Sequence, residues 1–215
     1  MKIIKPSYEI LSEIDGIKEL QHIEKIGRVC YKSEDKILED GSSAKAFVQM
    51  LINRGHEAMI EHSSLSVKFI VDRGISHELV RHRIASFAQE STRYCNYAND
   101  KFGGEITVIL PWFFDTGMGT ASNSSVYDAW KFSCEVAEQK YFELLGYGAT
   151  PQEARSVLPN SLKTEITITA NYREWRNFFK LRTPMTAHPQ MREVTIPLLQ
   201  ELKTKLPVIF DDIEC

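Results

Sequence analysis

Apolar residues along the chain switch between two periods, and each switch marks an element. Residues 1–14 read as a short strand or extended lead-in, with Pro6 limiting any helix. Ile17, Leu20, Ile23 and Ile26 then space as an amphipathic helix expected to end near Gly27. Ala44, Phe47, Val48, Leu51 and Ile52 repeat the helical pattern after the start signal Gly41-Ser42-Ser43, and Gly55 closes it. From Ser64 the period drops to two. Leu65, Val67, Phe69 and Val71 alternate with mostly polar neighbours, as in a strand with one buried face. Gly74 is expected to turn the chain, and residues 75–83 suit a helix.

Residues 96–104 read as a loop, 106–110 as a β-prone run and 115–125 as a linker rich in Gly, Ser and Thr. Tyr127, Trp130, Cys134, Ala137, Tyr141 and Leu144 step by three and four: a long helix with a packing seam, ended by Gly146 and Gly148. Such a stripe is far more often core or subunit interface than a cofactor box. Thr150 caps a short helix that opens on Pro151 and ends near Pro159. Residues 163–170 alternate, Ile166, Ile168 and Ala170 facing one way and Glu165, Thr167 and Thr169 the other. Trp175, Phe178, Phe179 and Arg182 share one helical face, and Arg173 and Asn177 another. The tail from Gln190 is helical, with Pro197 expected to kink or end it. No repeat or regular βαβ rhythm stands out. The expected fold is therefore α+β, a mixed or antiparallel sheet with packed helices in a single domain over residues 1–215, not a Rossmann fold.

A chain of 215 residues suits one medium domain, able to bury roughly 70% of its unfolded surface without a metal or disulfide staple. At 43% hydrophobic and 26% charged it reads as soluble and globular. The net charge of -3 and pI of about 6.1 argue against a dedicated nucleic-acid binder. Cys30, Cys95, Cys134 and Cys215 are widely spaced with no Cys-x-x-Cys pair, so reduced thiols in a cytoplasmic protein are expected. No charged leader with an apolar run and cleavage site is present. The most apolar run, residues 106–114, contains Pro111, stops at Asp115 and is too short to span a bilayer. No membrane partner is expected.

Candidate chemistry concentrates in residues 81–94, where arginines, a histidine, serines, Gln89 and Glu90 crowd together. Arginine stays charged and offers a planar fork of donors matched to phosphate oxygens or carbonyl edges. A compact anionic ligand with a planar ring fits that set. If Ser86 onward is extended, Phe87, Gln89, Ser91 and Arg93 point to one side; if the preceding stretch is helical, Glu78, Arg81 and His82 share a face. The plainer alternative is a solvated basic face. Ile84, Ala85, Phe87 and Ala88 interleave with the charges and argue for partial burial, where unpaired charge is expensive. Elsewhere, Gly117-Met118-Gly119 lacks the context of a phosphate loop. His56 and His62, six apart, do not align as metal ligands, and no metal is expected.

Arg81-His82-Arg83, followed by Ser91 and Arg93 in register and by Ser86 at a further recurrent position, resembles the signature of the flavin-dependent thymidylate synthases. The family more commonly has a polar residue where Ala88 stands. The resemblance implies that Glu78, Arg81, Gln89, Glu90, Ser91 and Arg93 bind the substrate dUMP, and that Arg81, His82, Arg83, Ile84 and Gln89 meet FAD. Residues 55–62 are similar to a second family block, which implies His56 near the flavin and Glu61 as a flavin-contacting acid. Arg28-Val29-Cys30-Tyr31 is similar to another segment near the flavin. Arg155 resembles the arginine that binds the nucleotide phosphate. Asn171, Arg173 and Asn177 resemble a flavin-binding pattern, and Arg182 the arginine facing the pyrimidine. His56 and Arg182 are the implied catalytic pair. His188 is similar to a further flavin contact but sits about two residues later than the family's histidine.

The implied activity is reductive methylation of dUMP to dTMP, with 5,10-methylenetetrahydrofolate as one-carbon donor and FAD reduced by NADPH. The implied assembly is a homotetramer whose sites draw on several subunits. None of the four cysteines has the Pro-Cys-His setting of an ordinary thymidylate synthase, and a hydride route through a cofactor needs no protein nucleophile. Ser91 is accordingly assigned to positioning, since a serine without a fixed base is a poor nucleophile. A non-catalytic RNA- or nucleotide-binding module built on Arg81, Arg83 and Arg93 is the rival from another class. A second rival is a flavoprotein that oxidises NADPH without methyl transfer.

Overall fold

The computed structural model describes residues 1–116 and 124–215; the Gly117-Met118-Gly119 run and most of the expected linker lie outside the described residues. The strands are β1 (Lys2–Ile4), β2 (Ser7–Ile10), β3 (Ser64–Asp72), β4 (Ser86–Gln89), β5 (Thr107–Ile109) and β6 (Lys163–Asn171). The helices are α1 (Gly16–Tyr31), α2 (Ser42–Asn53), α3 (Arg73–Leu79), α4 (Trp112–Thr116), α5 (Ser124–Gly146), α6 (Pro151–Ala154), α7 (Tyr172–Arg182) and α8 (Pro189–Lys205). The fold is α+β. β1 pairs parallel with β5, Lys2 opposite Thr107, and a four-stranded sheet runs in the order β2-β3-β6-β4. The chain clusters into two compact units. The first holds residues 1–7, 69–81 and 87–167; the second holds 8–68, 82–86 and 168–215.

In the first unit α3 starts earlier than its apolar pattern implies. Asp72 caps it, accepting from the Ile75 amide at 2.6 Å, so Gly74 lies inside the first turn instead of turning the chain. The helix stops at Leu79, which leaves Arg81 beyond it and removes the helical face expected to join Glu78, Arg81 and His82. β4 ends at Gln89, and Ser91 opens a tight turn whose carbonyl accepts from the Tyr94 and Cys95 amides. Ser91 and Arg93 are thus not on the extended strand that alternation predicts. Of the residues expected to be partly buried, Ala85 and Phe87 are half-buried, while Ile84 and Ala88 are exposed. α5 keeps its seam, with Cys134 and Tyr141 in a core that includes Tyr97, Ile106, Val108 and Leu162. Thr150 and Glu153 cap α6 reciprocally, as the Thr-Pro start implies.

In the second unit α1 runs one turn past Gly27, to Tyr31. Gly27 is a close-packing position: a Cβ there would lie 2.6 Å from Phe47 Cε1 on α2. The helix ends where Lys32 takes a left-handed φ of 47°. α7 begins at Asn171, whose side chain accepts from the Glu174 amide at 2.9 Å. It buries Trp175, Phe178 and Phe179, and Trp175 Nε1 donates to the Leu65 carbonyl at 3.0 Å. α8 continues through Pro197, its buried Val194, Leu198, Leu199 and Leu202 holding the helix where the proline has no amide to donate. Among the described residues no helix is long and apolar enough to cross a membrane.

Arg176 is among the charges buried in the second unit, and it is paired from several sides. Arg176 on α7 makes a bidentate pair with Asp212 at 2.6 and 2.7 Å, donates to the Ile209 carbonyl, and reaches Glu57 at 3.1 Å. Removing one partner of such a pair typically costs ~3–5 kcal/mol; Asp212 is 44% exposed, so water takes up part of the loss. Arg176→Leu is therefore expected to lower stability by about 3 kcal/mol, read as a shift of the urea midpoint. A shift below about 1 kcal/mol would mean the guanidinium contributes no more than a surface pair.

Candidate active site

A cavity of about 510 Å³ opens in the second unit beside α7. Asn171 lines it from the helix cap; Arg173, Glu174, Asn177 and Lys180 follow at the steps that keep a helix face together. Glu57 and Glu61 come from the short turn at residues 57–62, and Ile84 supplies an apolar side chain. The polar groups are cross-linked. Arg173 Nη1 donates to Glu61 at 2.5 Å, and Glu57 lies 3.8 Å from both Arg173 and Lys180. Asn177 Nδ2 stands 3.3 Å from each oxygen of Glu174.

Glu174 also holds His82. The ring is buried, with Nδ1 at 3.1 Å from Glu174 and Nε2 accepting from Arg182 Nε at 3.0 Å, its edge against Phe178. A nitrogen that accepts from a guanidinium cannot carry a proton, so the ring is neutral and Nδ1–H donates to the carboxylate. Burial lowers the His82 pKa and the neighbouring Arg182 lowers it further, against the opposing pull of Glu174.

Two histidines of the candidate set sit elsewhere in this unit. His56 is exposed, with Nδ1 2.8 Å from the Tyr31 hydroxyl. His188 caps α8, accepting from the Gln190 amide at 3.2 Å. Neither is among the residues lining the cavity. Glu57, Glu174 and Lys180 were not singled out as site residues in the sequence. A signal existed: Glu174 and Lys180 lie three residues from Asn171 and Asn177, and Glu57 lies four before Glu61.

The first unit holds a smaller cavity of about 260 Å³, lined by Arg73, His77, Thr92, Arg155 and Asn160 among others. Arg155 Nη1 donates to Thr92 Oγ1 at 3.2 Å. Arg93 turns to Gln152, its Nε donating to Oε1 at 2.8 Å, and its amide donates to Ser91 Oγ at 3.3 Å. Glu90 faces inward. It accepts from Lys163 at 3.0 Å, the Glu165 amide at 3.3 Å and the Tyr97 hydroxyl at 3.4 Å. Burial, reinforced by Glu90, pushes the Tyr97 phenol well up. Arg81 and Arg83 are exposed, and the Arg81 amide donates to the Glu78 carbonyl. Arg73, His77 and Asn160 join Arg155 without having been marked in the sequence.

A family model described as thymidylate synthase complementing protein matches residues 14–208. The chain is also 34% identical, over 88% of its length and 78% of the relative's, to a flavin-dependent thymidylate synthase of Corynebacterium aurimucosum. The chain belongs to the flavin-dependent thymidylate synthase family. A family member from Geobacter sulfurreducens is 33% identical over 86% of this chain and 78% of its own. Among solved structures, the UMP/dUMP methylase PolB of Streptomyces cacaoi bound with 5-Br dUMP has the same fold. Its TM-score is 0.79 at 20% identity, covering 98% of this chain and 96% of that one.

In this flavin-dependent thymidylate synthase family member, the larger cavity can hold a polar anionic cofactor. Asn171 and Asn177 offer amides, Arg173 and Lys180 cationic donors, and Ile84 an apolar wall. Arg173 is 54% exposed, so its pair with Glu61 is weak and exchanges readily for a ligand anion. Nitrogen-15 NMR at pH 7 is expected to show His82 neutral and protonated on Nδ1, titrating below the ordinary histidine range. Because folded His82 binds its proton less readily than unfolded His82, its stabilising contribution is present above about pH 6.5 and lost as pH falls below it. His82→Gln should flatten that part of the stability profile. A doubly protonated ring at pH 7 would contradict the Arg182 contact.

Proposed function

We propose that the chain reductively methylates dUMP to dTMP, taking its one-carbon unit from 5,10-methylenetetrahydrofolate and its electrons from NADPH through FAD. Support comes from one observation. Glu61, Ile84, Asn171, Arg173 and Asn177, from three separate stretches, all carry flavin roles by resemblance and line a single cavity. The donor set is suited to the cofactor: cations for a diphosphate, amides for ring edges, an apolar side chain for a flat face. FAD, when bound, supplies the hydride that completes the methyl group.

The chain's own residues bind, orient and polarise. Arg173 and Lys180 meet the cofactor's phosphates, and Asn171 and Asn177 its polar edges. Arg155, with Arg73 lining the same cavity, holds the phosphate of dUMP as a guanidinium fork does. Arg81 and Arg93 add positive charge, while Ser91 positions the nucleotide. Among the described residues no imidazole is bonded to Ser91 Oγ, which accepts from the Arg93 amide, so covalent attack there has no histidine base. Arg182 stabilises charge on the pyrimidine carbonyls, oriented by its bond to His82. His56, steadied by Tyr31, is the second catalytic group. Glu78, Gln89 and Glu90 complete the nucleotide side; His188 and Arg83 complete the flavin side. Residues 1–215 act as one domain within a homotetramer in the cytoplasm. Val126, Phe132 and Val136 on α5 are exposed apolar residues that a neighbouring subunit would cover.

Purified protein is expected to be yellow, to bleach with NADPH, and to regain colour and release dTMP when dUMP and methylenetetrahydrofolate are added. Arg155→Ala should raise KM for dUMP about ten- to hundred-fold with kcat little changed, the loss of one charged hydrogen-bonding group. A protein that takes up no flavin would sink the assignment. NADPH oxidation without dTMP would favour the altered flavoprotein, and colourless binding that falls steeply with salt would favour the nucleic-acid module.

A further inference from the structure

Gln89, at the end of β4, is held by two fully buried hydroxyls. Its Nε2 lies 2.9 Å from Ser76 Oγ on α3 and 3.2 Å from Thr164 Oγ1 on β6. The Ser76 hydroxyl spends its only proton on the Arg73 carbonyl at 2.9 Å, so towards Gln89 it can only accept. The amide's orientation follows from that accounting: the nitrogen faces inward. Thr164 Oγ1 takes the second N–H, alongside Arg73 Nη1 at 3.3 Å. Both donors of Gln89 are then used, and among the described residues its Oε1 takes no hydrogen bond. Gln89 is half-buried, so this end of the side chain is reachable.

We propose that Ser76 and Thr164 are positioning residues that make Gln89 an acceptor only, and that its Oε1 selects a ring N–H flanked by two carbonyls. Uracil carries such an N–H at N3. Cytosine carries a lone pair there, and would meet the oxygen with an acceptor. The isoalloxazine ring carries the same imide as uracil, so both rings share the recognised chemistry. A freely turning glutamine would not discriminate, because it can present N–H to cytosine as easily as C=O to uracil. The two buried hydroxyls convert an ambiguous side chain into a selective one. This inference rests on the nucleotide reading of the site above, and it adds residues outside the Arg-His-Arg stretch to the basis of substrate choice.

The test uses the full-length protein with flavin bound. Affinities for dUMP and dCMP are measured by calorimetry in the parent, Thr164→Val, Ser76→Ala and the conservative Thr164→Ser, and flavin affinity is measured alongside. The parent is expected to prefer dUMP. Thr164→Val and Ser76→Ala should erode that preference about tenfold, the worth of one hydrogen bond and its mispaired alternative, by gaining dCMP as well as losing dUMP. Thr164→Ser, which keeps the hydroxyl, should restore the preference. Flavin affinity falling about tenfold in the two disruptive variants, with the nucleotide ratio unchanged, would assign the selected N–H to the cofactor. An unchanged ratio with unchanged flavin affinity, or an equal loss of both nucleotides that Thr164→Ser does not reverse, would overturn the proposal. Because the ratio is an equilibrium measurement, it remains readable if the parent forms no dTMP, so the two ideas fail separately.

Discussion

Burying one guanidinium sets the terms for the second unit. Arg176 is nearly solvent-free, and an isolated charge in that position would cost more than the unit could spare. It is compensated from three directions, by Asp212, the Ile209 carbonyl and Glu57. That arrangement fixes α7 against the C-terminal residues and against the turn at 57–62. The same helix presents Arg173, Asn177 and Lys180 to the cavity, and the same turn presents Glu57 and Glu61. Glu57 therefore has two duties. It closes the cage around a buried arginine and forms part of a ligand site, so packing and chemistry are joined through one carboxylate.

The first unit solves a similar problem with opposite polarity. Glu90 is a half-buried anion, and Lys163, the Glu165 amide and Tyr97 satisfy it. Burial alone would lower Lys163, but its bonds to Glu165 and Glu90 prevail and hold it above its ordinary range. The carboxylate thereby ties the stretch after β4 to β6. The nucleotide role expected of Glu90 and its role in holding this segment in place draw on the same few atoms.

Elements with long apolar runs were legible from the chain alone. α2, β3, the alternating β6 and the seam of α5 lie where periodicity puts them, because burial of a face is itself periodic. Boundaries set by single polar or tertiary contacts were not. Asp72 started α3 early, and Leu79 ended it before the arginines, which no apolar spacing records. Pro197 lies within α8 because its packed neighbours hold the helix. The same division holds for the site. Asn171, Arg173 and Asn177 carry a recognisable pattern, whereas Arg73, Lys180 and Glu174 read as ordinary surface charges until the fold sets them beside a cavity. Within residues 1–54 the resemblance rested only on Arg28-Val29-Cys30-Tyr31, yet the matched span takes in everything from residue 14 onward.

Gly27 carries its effect some distance along the chain. With no side chain beside the ring of Phe47, α1 lies close to α2, and its last turn sets Tyr31 edge-on against the same ring. The phenol of Tyr31 then reaches His56. The orientation of an imidazole is thereby inherited from an absent methyl group twenty-nine positions upstream, and selection for how that ring is aimed would act on a residue that never touches it.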